Sequence, residues 1–359
     1  MSDQRSQGWN RRAFLKRAAL AGTSALFGRH RDSLAAEPPL ETTRLRLYQK
    51  PSICLAPQYV AEEFLRAEGF TDLQYIKVPG TRDIEPALAS GTIDIGFHFA
   101  APNIIRIEAG DPIVMLAGGH VGCFELFGTN RVRAVRDLKG KTVSVIEPGS
   151  SHHVFLSSII AYVGLNPDKD IKWVFHPQVE AIRLLTEGKI DALLAFPPEP
   201  QELREKKIGH VILNSMDDRP WSHYFCCMVT ANKNFVKKHP TATKRALRAI
   251  LEATDICAHE PERVARFLVD KGYTPSYKYA LQTMREMAMC YGHWREYDPE
   301  DTIRFYSLQL QEVGMIKSRP QKIIAQGTDW RFIRELKKEL KGAALKERAS
   351  AGVHSHQAR

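Results

Sequence analysis

Hydrophobic and polar positions follow two alternating periods along residues 44–232 of this chain. Short runs that alternate or are wholly apolar, such as Arg44–Tyr48, Leu73–Val78 and Ile93–Phe97, predict strands. Stretches with apolar residues three and four apart predict the helices between them. Regular exchange of strand and helix is typical of crossover units, so the pattern predicts α/β lobes built on largely parallel sheets.

The pattern changes after Asn232, where nearly everything as far as Leu340 has helical spacing. The predicted helices of this segment are Thr241–Ala258, Pro261–Val269, Tyr277–Met289 and Pro299–Val313.

One short phrase occurs twice in the α/β part. "ASGTIDIGF" and "TEGKIDALLAF" each place Gly, one residue, Ile and Asp before an apolar run, with Gly91 and Gly188 at equivalent positions. Glycine adopts the left-handed conformation that ends many helices, so each copy predicts a helix end followed by a strand. The repeat therefore predicts two lobes of the same construction.

The composition is that of an ordinary globular protein, and the length allows two domains. The 359 residues are 43% hydrophobic and 26% charged. The formal net charge is +10, but residues 1–36 hold seven arginines or lysines against two aspartates, so half of that charge lies there. The remaining basic residues are mixed with acids, which is typical of solvated helix faces, and we expect no nucleic-acid partner.

The first 36 residues have the features of an export signal. Arg11 and Arg12 precede Phe14 and a short apolar stretch, and small residues offer cleavage after Ala35 or Ala36. This segment resembles a twin-arginine signal, which implies a periplasmic protein. The alternative interpretation is a basic amphipathic helix.

The six cysteines form no CxxC pair and no zinc-type spacing. We expect buried free thiols, although an exported protein can also form disulfides, whose connectivity stays open. Cys226 and Cys227 are neighbours in a predicted strand, so their side chains are expected on opposite faces.

A family resemblance is carried by five segments in a fixed order. They are "PQYVAEEFLRAEGF", "ALASGTIDIGF", "DLKGKTVSVIEPGSSHH", "LLTEGKIDALLAF" and "CCMVTANKNFVKKHPTATKRALRAILEA". Over about residues 44–340 it resembles the solute-binding proteins of nitrate, sulfonate and taurine ABC importers, a broad family that includes thiamine-pyrimidine synthase-like proteins. The resemblance implies a type II periplasmic binding fold, with two α/β lobes joined by two crossing strands and a helical C-terminal segment on lobe one.

The resemblance also implies a domain division. The expected parts are a signal peptide at 1–36, lobe one at 40–130 plus 232–340, lobe two at 137–225 and a disordered tail at 341–359. The crossings are expected near Leu126–Arg136 and Tyr224–Ala231.

The function implied is that of an extracytoplasmic, monomeric binding component. It would capture a small organic solute between the lobes and deliver it to an inner-membrane ABC permease with its ATPase, or serve as a sensor. No cofactor, metal or catalytic residue is expected, since the sequence contains no GxSxG, HExxH or GxGxxG motif. The alternative is a thiamine-pyrimidine synthase-like or decarboxylase-like enzyme, although "FCCMV" does not match the clustered cysteines of the synthases.

Ligands of open parallel sheets lie beyond the carboxyl ends of the strands, so the loops there supply the candidate site. "EPGSSHH" combines a close-approach glycine with small residues at a helix start, which is typical of an anion site, although an ordinary serine cap is the alternative. Arg82 is the nearest arginine that could pair with an anionic solute, whereas the histidines favour a neutral or aromatic one. The candidate ligand-binding residues are Ser52, Ile53, His98, Phe99, Ala100, Gly149, Ser150, Ser151, His152, Phe196, Glu199, His223 and Tyr224.

Overall fold

The computed structural model describes residues 37–78 and 80–340. The chain divides into two compact units, 1–40 and 41–359, and all the elements below belong to the second unit. The predicted export signal and the predicted C-terminal tail both lie outside the described residues. Among the described helices, none is long and apolar enough to cross a membrane.

The first sheet has five strands in the order β2-β1-β3-β10-β4. Strands β1 and β2, and β1 and β3, are parallel, whereas β10 runs antiparallel to both β3 and β4. The predicted strands are therefore confirmed, with one antiparallel strand inserted. The bounds are β1 Arg44–Gln49, β2 Asp72–Lys77, β3 Ile95–Phe99, β4 Ile113–Val121 and β10 Phe225–Asn232.

The second sheet repeats this arrangement in the order β7-β6-β8-β5-β9. Strand β6 is parallel to β7 and β8, and β5 runs antiparallel to β8 and β9. The second sheet is built from five strands that are consecutive in the chain, whereas the first receives β10 only after the chain has returned. The bounds are β5 Glu125–Gly128, β6 Thr142–Val145, β7 Lys172–Phe175, β8 Ala192–Ala195 and β9 His210–Asn214.

Helices cover the sheets, and the long helices predicted after Asn232 are confirmed. The bounds before β10 are α1 Ala56–Val60, α2 Glu62–Ala67, α3 Ile84–Ala89, α4 Ala100–Glu108, α5 Ser151–Tyr162, α6 Pro167–Asp170, α7 Gln178–Thr186 and α8 Glu199–Glu205. Those after β10 are α9 Lys233–Lys238, α10 Pro240–His259, α11 Pro261–Asp270, α12 Tyr277–Glu286, α13 Ala288–Gly292, α14 Pro299–Glu312 and α15 Pro320–Gly327. Residues 331–340 are also helical.

The chain passes between the sheets twice. It leaves the first sheet after Val121 and pairs with the second from Glu125, and it returns between Asn214 and Phe225. Residues 125–128, which the sequence reasoning placed in lobe one, therefore pair with the second sheet. The first passage lies just before the expected crossing, because β4 continues to Val121 and β5 joins β8 almost at once.

The C-terminal helices contact elements of both sheets. α10 packs on α1, and α14 packs on α4, all beside the first sheet. α14 also contacts α5, and α8 contacts α12, where Arg204 forms an ion pair with Glu286 at 2.6 Å. The helical segment is therefore in contact with the helices of the second sheet as well as those of the first.

The expectation that Cys226 and Cys227 face opposite sides of their strand is wrong. The sulfur atoms of both residues and of Cys123 lie within 4.8 Å of one another. The β10–β4 pairing shifts register around Cys227, as it does at a β-bulge. An extra residue in a bulge breaks the alternation of side chains, so neighbouring residues can share a side.

Candidate functional site

A contact between side chains of the two sheets marks the candidate site. His98 lies near the carboxyl end of β3, and Ser151 begins α5 after β6. The Nε2 atom of His98 lies 3.3 Å from the hydroxyl oxygen of Ser151, and both side chains are buried. The carboxyl ends of β3 and β6 therefore meet at one junction, called the crevice below, and the sequence predicts a ligand site at such an edge.

Two further pairs of residues, each with one member from either lobe, lie close together at the same place. A Cβ atom on Gly149 would lie 3.6 Å from Nε of Arg82, and one on Gly80 would lie 3.5 Å from Oε1 of Glu147. The turn before α3 therefore lies against the turn before α5. Arg82, which the sequence suggested only as the nearest arginine, is placed beside the glycine-rich turn.

His98 is held from its other side by a carboxylate that the sequence reasoning missed. Its Nδ1 atom lies 2.6 Å from Oε1 of Glu85, on α3, and Glu85 is also buried. The pair is close in distance but is not aligned as a hydrogen bond. Ser151, His98 and Glu85 thus form a serine–histidine–carboxylate series of contacts that spans both sheets.

The start of α5 is built as a capped helix end. Ser150 accepts a hydrogen bond from the backbone N–H of His153 at 3.3 Å, and the N–H of Gly149 donates to Nδ1 of His153 at 3.0 Å. Gly149 has a φ of 71°, which glycine adopts without a Cβ clash. Ser151 and His152 occupy the first turn, where backbone N–H groups have no acceptor within the helix. These N–H groups and the helix dipole favour an anionic group.

His152 is buried in the same turn and is neutral. Burial lowers its pKa to about 3, and the positive charge of Lys50 acts in the same direction. Its ring meets those of Phe124 and Phe196 edge-on, with centroids 5.2 Å and 4.8 Å away. Neither ring nitrogen has a hydrogen-bond partner in the described part of the chain. A neutral imidazole carries one donor and one acceptor, and both are available here.

Two opposite charges complete this region. Burial raises the pKa of Glu199 to about 7, while Lys50 partly opposes that rise. Burial lowers the pKa of Lys50, against the effect of nearby carboxylates that include Glu199. The Oε2 atom of Glu199 is buried and has no hydrogen-bond partner among the described residues. Lys50 was missed, although the "KPSICLAP" stretch after β1 was singled out as lining the cleft.

The other candidates on the first sheet form buried walls. Ser52, Ile53 and Ala100 are almost fully buried at the starts of short helical turns. Phe99 packs edge-on against Phe124, Phe155 and Tyr306, with centroids 5.3–5.5 Å away. Phe99 thus contacts α5 through Phe155 and α14 through Tyr306.

His223 and Tyr224 have different neighbours. His223 is exposed, and its ring lies 6.3 Å from that of Tyr297. Tyr224 stacks on Phe305 of α14 at 3.9 Å. These contacts place both residues against the C-terminal helical segment rather than with the groups that meet around His152.

Sequence comparisons relate the chain to two kinds of known protein. The chain is 26% identical over 268 residues to the nitrate/nitrite binding protein NrtA of Nostoc sp., which covers 67% of this chain and 60% of that relative. It is 22% identical over 261 residues to the 4-amino-5-hydroxymethyl-2-methylpyrimidine phosphate synthase of Candida albicans, covering 67% of this chain and 75% of that relative. The matched part thus spans less than two thirds of the NrtA relative.

Solved structures share the architecture. The periplasmic nitrate-binding protein NrtA of Synechocystis PCC 6803 superposes with a TM-score of 0.72 at 16% identity, covering 84% of this chain and 90% of that one. The chain therefore has the periplasmic binding protein fold, with two mixed sheets and surrounding helices, as the sequence resemblance implied. The NMT1-like family matches residues 39–268, which is more than half of the sequence, and the chain belongs to that family.

Proposed function

We propose that this protein is the extracytoplasmic solute-binding component of an ABC importer and that it binds a small organic solute in the crevice between the two sheets. The observation that carries the proposal is the meeting of His98 and Ser151 beside a buried His152 whose two ring nitrogens have no partner among the described residues. Unpaired buried polar atoms are costly, and a bound solute would satisfy them. The fold and the nitrate/nitrite binding relative support this function.

The crevice chemistry favours a solute with one anionic group and an apolar or aromatic part. The first turn of α5, together with Lys50, suits a carboxylate, sulfonate or nitrate-like group. Phe196 and Phe124, which pack against His152, suit an apolar part. A solute that is wholly neutral stays the alternative, because His152 offers a neutral donor and a neutral acceptor.

Delivery would follow the usual logic of two-lobed binding proteins. The lobes close around the solute by hinge motion at the two passages, and an inner-membrane permease with its ATPase receives it from the closed monomer. Export through the twin-arginine-like segment at residues 1–36 would place the protein in the periplasm.

The test is to purify the exported protein and identify the released solute by mass spectrometry. That solute is then added back in a thermal-shift and calorimetric titration. We expect it to return unchanged, to raise the melting temperature, and to bind at least about tenfold more weakly to His152→Ala, because two buried hydrogen bonds are lost. The exposed His259→Ala on α10 is the matched control and should bind normally. His223→Ala measures whether the second passage contributes. Equal affinity of His152→Ala and wild type would contradict the site.

An enzyme on the same fold is the second candidate, and one observation favours it. The contacts from Ser151 through His98 to Glu85 follow the order of nucleophile, base and carboxylate found in hydrolases. The pyrimidine phosphate synthase relative is also an enzyme by name. Conversion of the recovered solute by wild-type protein, abolished in Ser151→Ala, would replace the binding proposal with this one.

A further inference from the structure

Three buried thiols converge where the two passages between the sheets begin and end. Cys123 lies in the passage from the first sheet to the second, and Cys226 and Cys227 are near the start of β10, where the chain has just returned. Their sulfur atoms all lie within 4.8 Å of one another, and those of Cys123 and Cys226 are 3.0 Å apart. Three sulfur donors from two distant parts of the chain therefore share one small space.

A buried histidine is paired in the sheet with one of these three cysteines. His120, on β4, is fully buried and is the register partner of Cys227 across the β4–β10 ladder. Its Nδ1 atom lies 3.2 Å and 3.1 Å from the backbone carbonyls of Val121 and Gly122. Carbonyl oxygens only accept hydrogen bonds, so in the neutral imidazole Nδ1 carries the proton and Nε2 carries the lone pair that could bind a metal. That Nε2 atom is buried and has no hydrogen-bond partner in the part of the chain that is described.

We propose that Cys123, Cys226 and Cys227, with Nε2 of His120, form a binding site for one thiophilic d10 cation, Zn²⁺ or Cu⁺. Three thiolates with one imidazole are a donor set that closed structural zinc sites use, and thiolates also select Cu⁺. The carbonyl contacts at Nδ1 of His120 are the outer contacts that fix the tautomer of ligating histidines. Each thiol that ligates releases its proton to solvent, so binding strengthens as the pH rises.

A cation bound to this cluster would connect two distant parts of the chain. It would link the outgoing passage, through Cys123, to the start of the returning strand, through Cys226. Cys227 is also the register partner of Phe99, whose neighbour His98 reaches the crevice. The cation site would therefore stiffen the base of both passages without using any of the groups proposed to hold the solute.

The experiment uses the full mature protein, reduced and kept under argon. Zn²⁺ is titrated against a chromophoric chelator, and Cu⁺ against bicinchoninate, to decide between the two ions. We expect one equivalent of one of them to bind tightly, and Co²⁺ added to a separate sample to give thiolate-to-cobalt charge-transfer absorption.

Cys226→Ala and His120→Gln should lose stoichiometric binding. Cys257→Ala, which removes a buried thiol of α10, is the matched control and should bind like wild type. His152→Ala should also bind the cation normally, which separates this site from the solute site.

Two results would overturn the proposal. The first is a reduced, folded wild-type protein that binds neither ion and gives no cobalt charge-transfer band, a measurement that does not depend on how any variant folds. The second is recovery of the exported protein without metal and with a Cys123–Cys226 disulfide, shown by the mass of the linked peptides. That bond would consume two of the four donors.

Discussion

The two copies of the Gly–x–Ile–Asp phrase have almost the same structure, one at each sheet. The N–H of Gly91 donates to the carbonyl of Leu88, and that of Gly188 to the carbonyl of Leu185, both at 3.1 Å. Both glycines are left-handed, with φ of 74° and 66°. The repeat in the sequence is therefore a repeated helix end that directs the chain into a parallel strand.

The aspartates of the two copies have matching partners. Asp94 accepts a hydrogen bond from the backbone N–H of Arg46, and Asp191 from that of Thr142, both at 2.8 Å. Each also pairs with an arginine, Arg46 for Asp94 and Arg131 for Asp191. Each aspartate thus links the start of its own strand, β3 or β8, to the neighbouring parallel strand, β1 or β6.

The copies differ just downstream of the repeated phrase, at residues that the sequence predicts to bind a ligand. After the first copy, His98 is paired with Glu85 and faces Ser151. After the second, Phe196 packs on His152, and Glu199 follows with a pKa of about 7 and an unpartnered oxygen. The repeated residues build two equivalent frames, and the residues that follow them supply different chemistry to one crevice.

The largest effect should come from removing the aspartates. Asp94→Ala breaks contacts of 2.8, 3.1 and 2.6 Å to Arg46 and leaves a backbone N–H unpaired, so we expect a loss of about 3 kcal/mol in the free energy of unfolding. Asp191→Ala should cost less, about 2 kcal/mol, because Arg131 is more exposed than Arg46, at 50% against 27%. Urea unfolding at pH 7 measures both losses.

The control for this pair is Asp301→Ala, whose side chain is 67% exposed and which should change stability by less than about 0.5 kcal/mol. The pH dependence gives a second check. Burial alone would raise the pKa of Asp191, but the Thr142 N–H and Arg131 lower it below 3.8. Its contribution is therefore present above pH 3.8 and is lost as the pH falls through the folded-state pKa. Equal losses from Asp94→Ala and Asp191→Ala would show that the two aspartate–arginine pairs contribute equally, despite the different exposure of their arginines.

A medium effect should come from Glu199, which has no counterpart after the first copy. Its folded-state pKa is about 7 against an ordinary 4.5, so the folded protein binds the proton more tightly and loses stability as the pH rises between these values. We expect Glu199→Gln to remove about 2 kcal/mol of stability difference between pH 5 and pH 8, and to stabilise the protein at pH 8. Paired urea titrations at the two pH values measure this difference.

The matched control is Glu312→Gln, an exposed residue at the end of α14, which should leave the pH dependence as in wild type. A Glu199→Gln profile parallel to that of wild type would show that this carboxyl titrates normally. The pKa of Glu199 would then not distinguish the second copy of the phrase from the first.

Much of the frame could be predicted from sequence because it depends on local signals. Gly91 and Gly188 mark helix ends, and the alternation of strand and helix gives both sheets. The carboxyl edge of a parallel sheet is a general ligand position, which is why the residues after the strands were predicted to bind a ligand. The structure brings His98 to Ser151 and His152 to Phe196, and their role in binding stays a prediction.

The missing parts depend on contacts between distant segments. Glu85 lies beside His98 only because the fold brings α3 to that position, and no local pattern around Glu85 predicts the contact. Lys50 lay inside a quoted motif, but its burial comes from the approach of the other sheet. The convergence of Cys226 and Cys227 follows from a register shift against β4, which strand alternation cannot reveal.

The smallest and most symmetrical effect should come from the glycines themselves. Alanine at Gly91 or Gly188 would meet no atom closer than 3.7 Å, so the cost is that of a left-handed backbone, about 1 kcal/mol at each position. Gly292 is the control, because its φ of −71° suits alanine and its surroundings are open, so Gly292→Ala should be neutral or slightly stabilising. Urea unfolding of the three variants measures these differences. Unequal costs at Gly91 and Gly188 would mean that the two helix ends are not equivalent, and the divergence between the copies would then begin before their strands rather than after them.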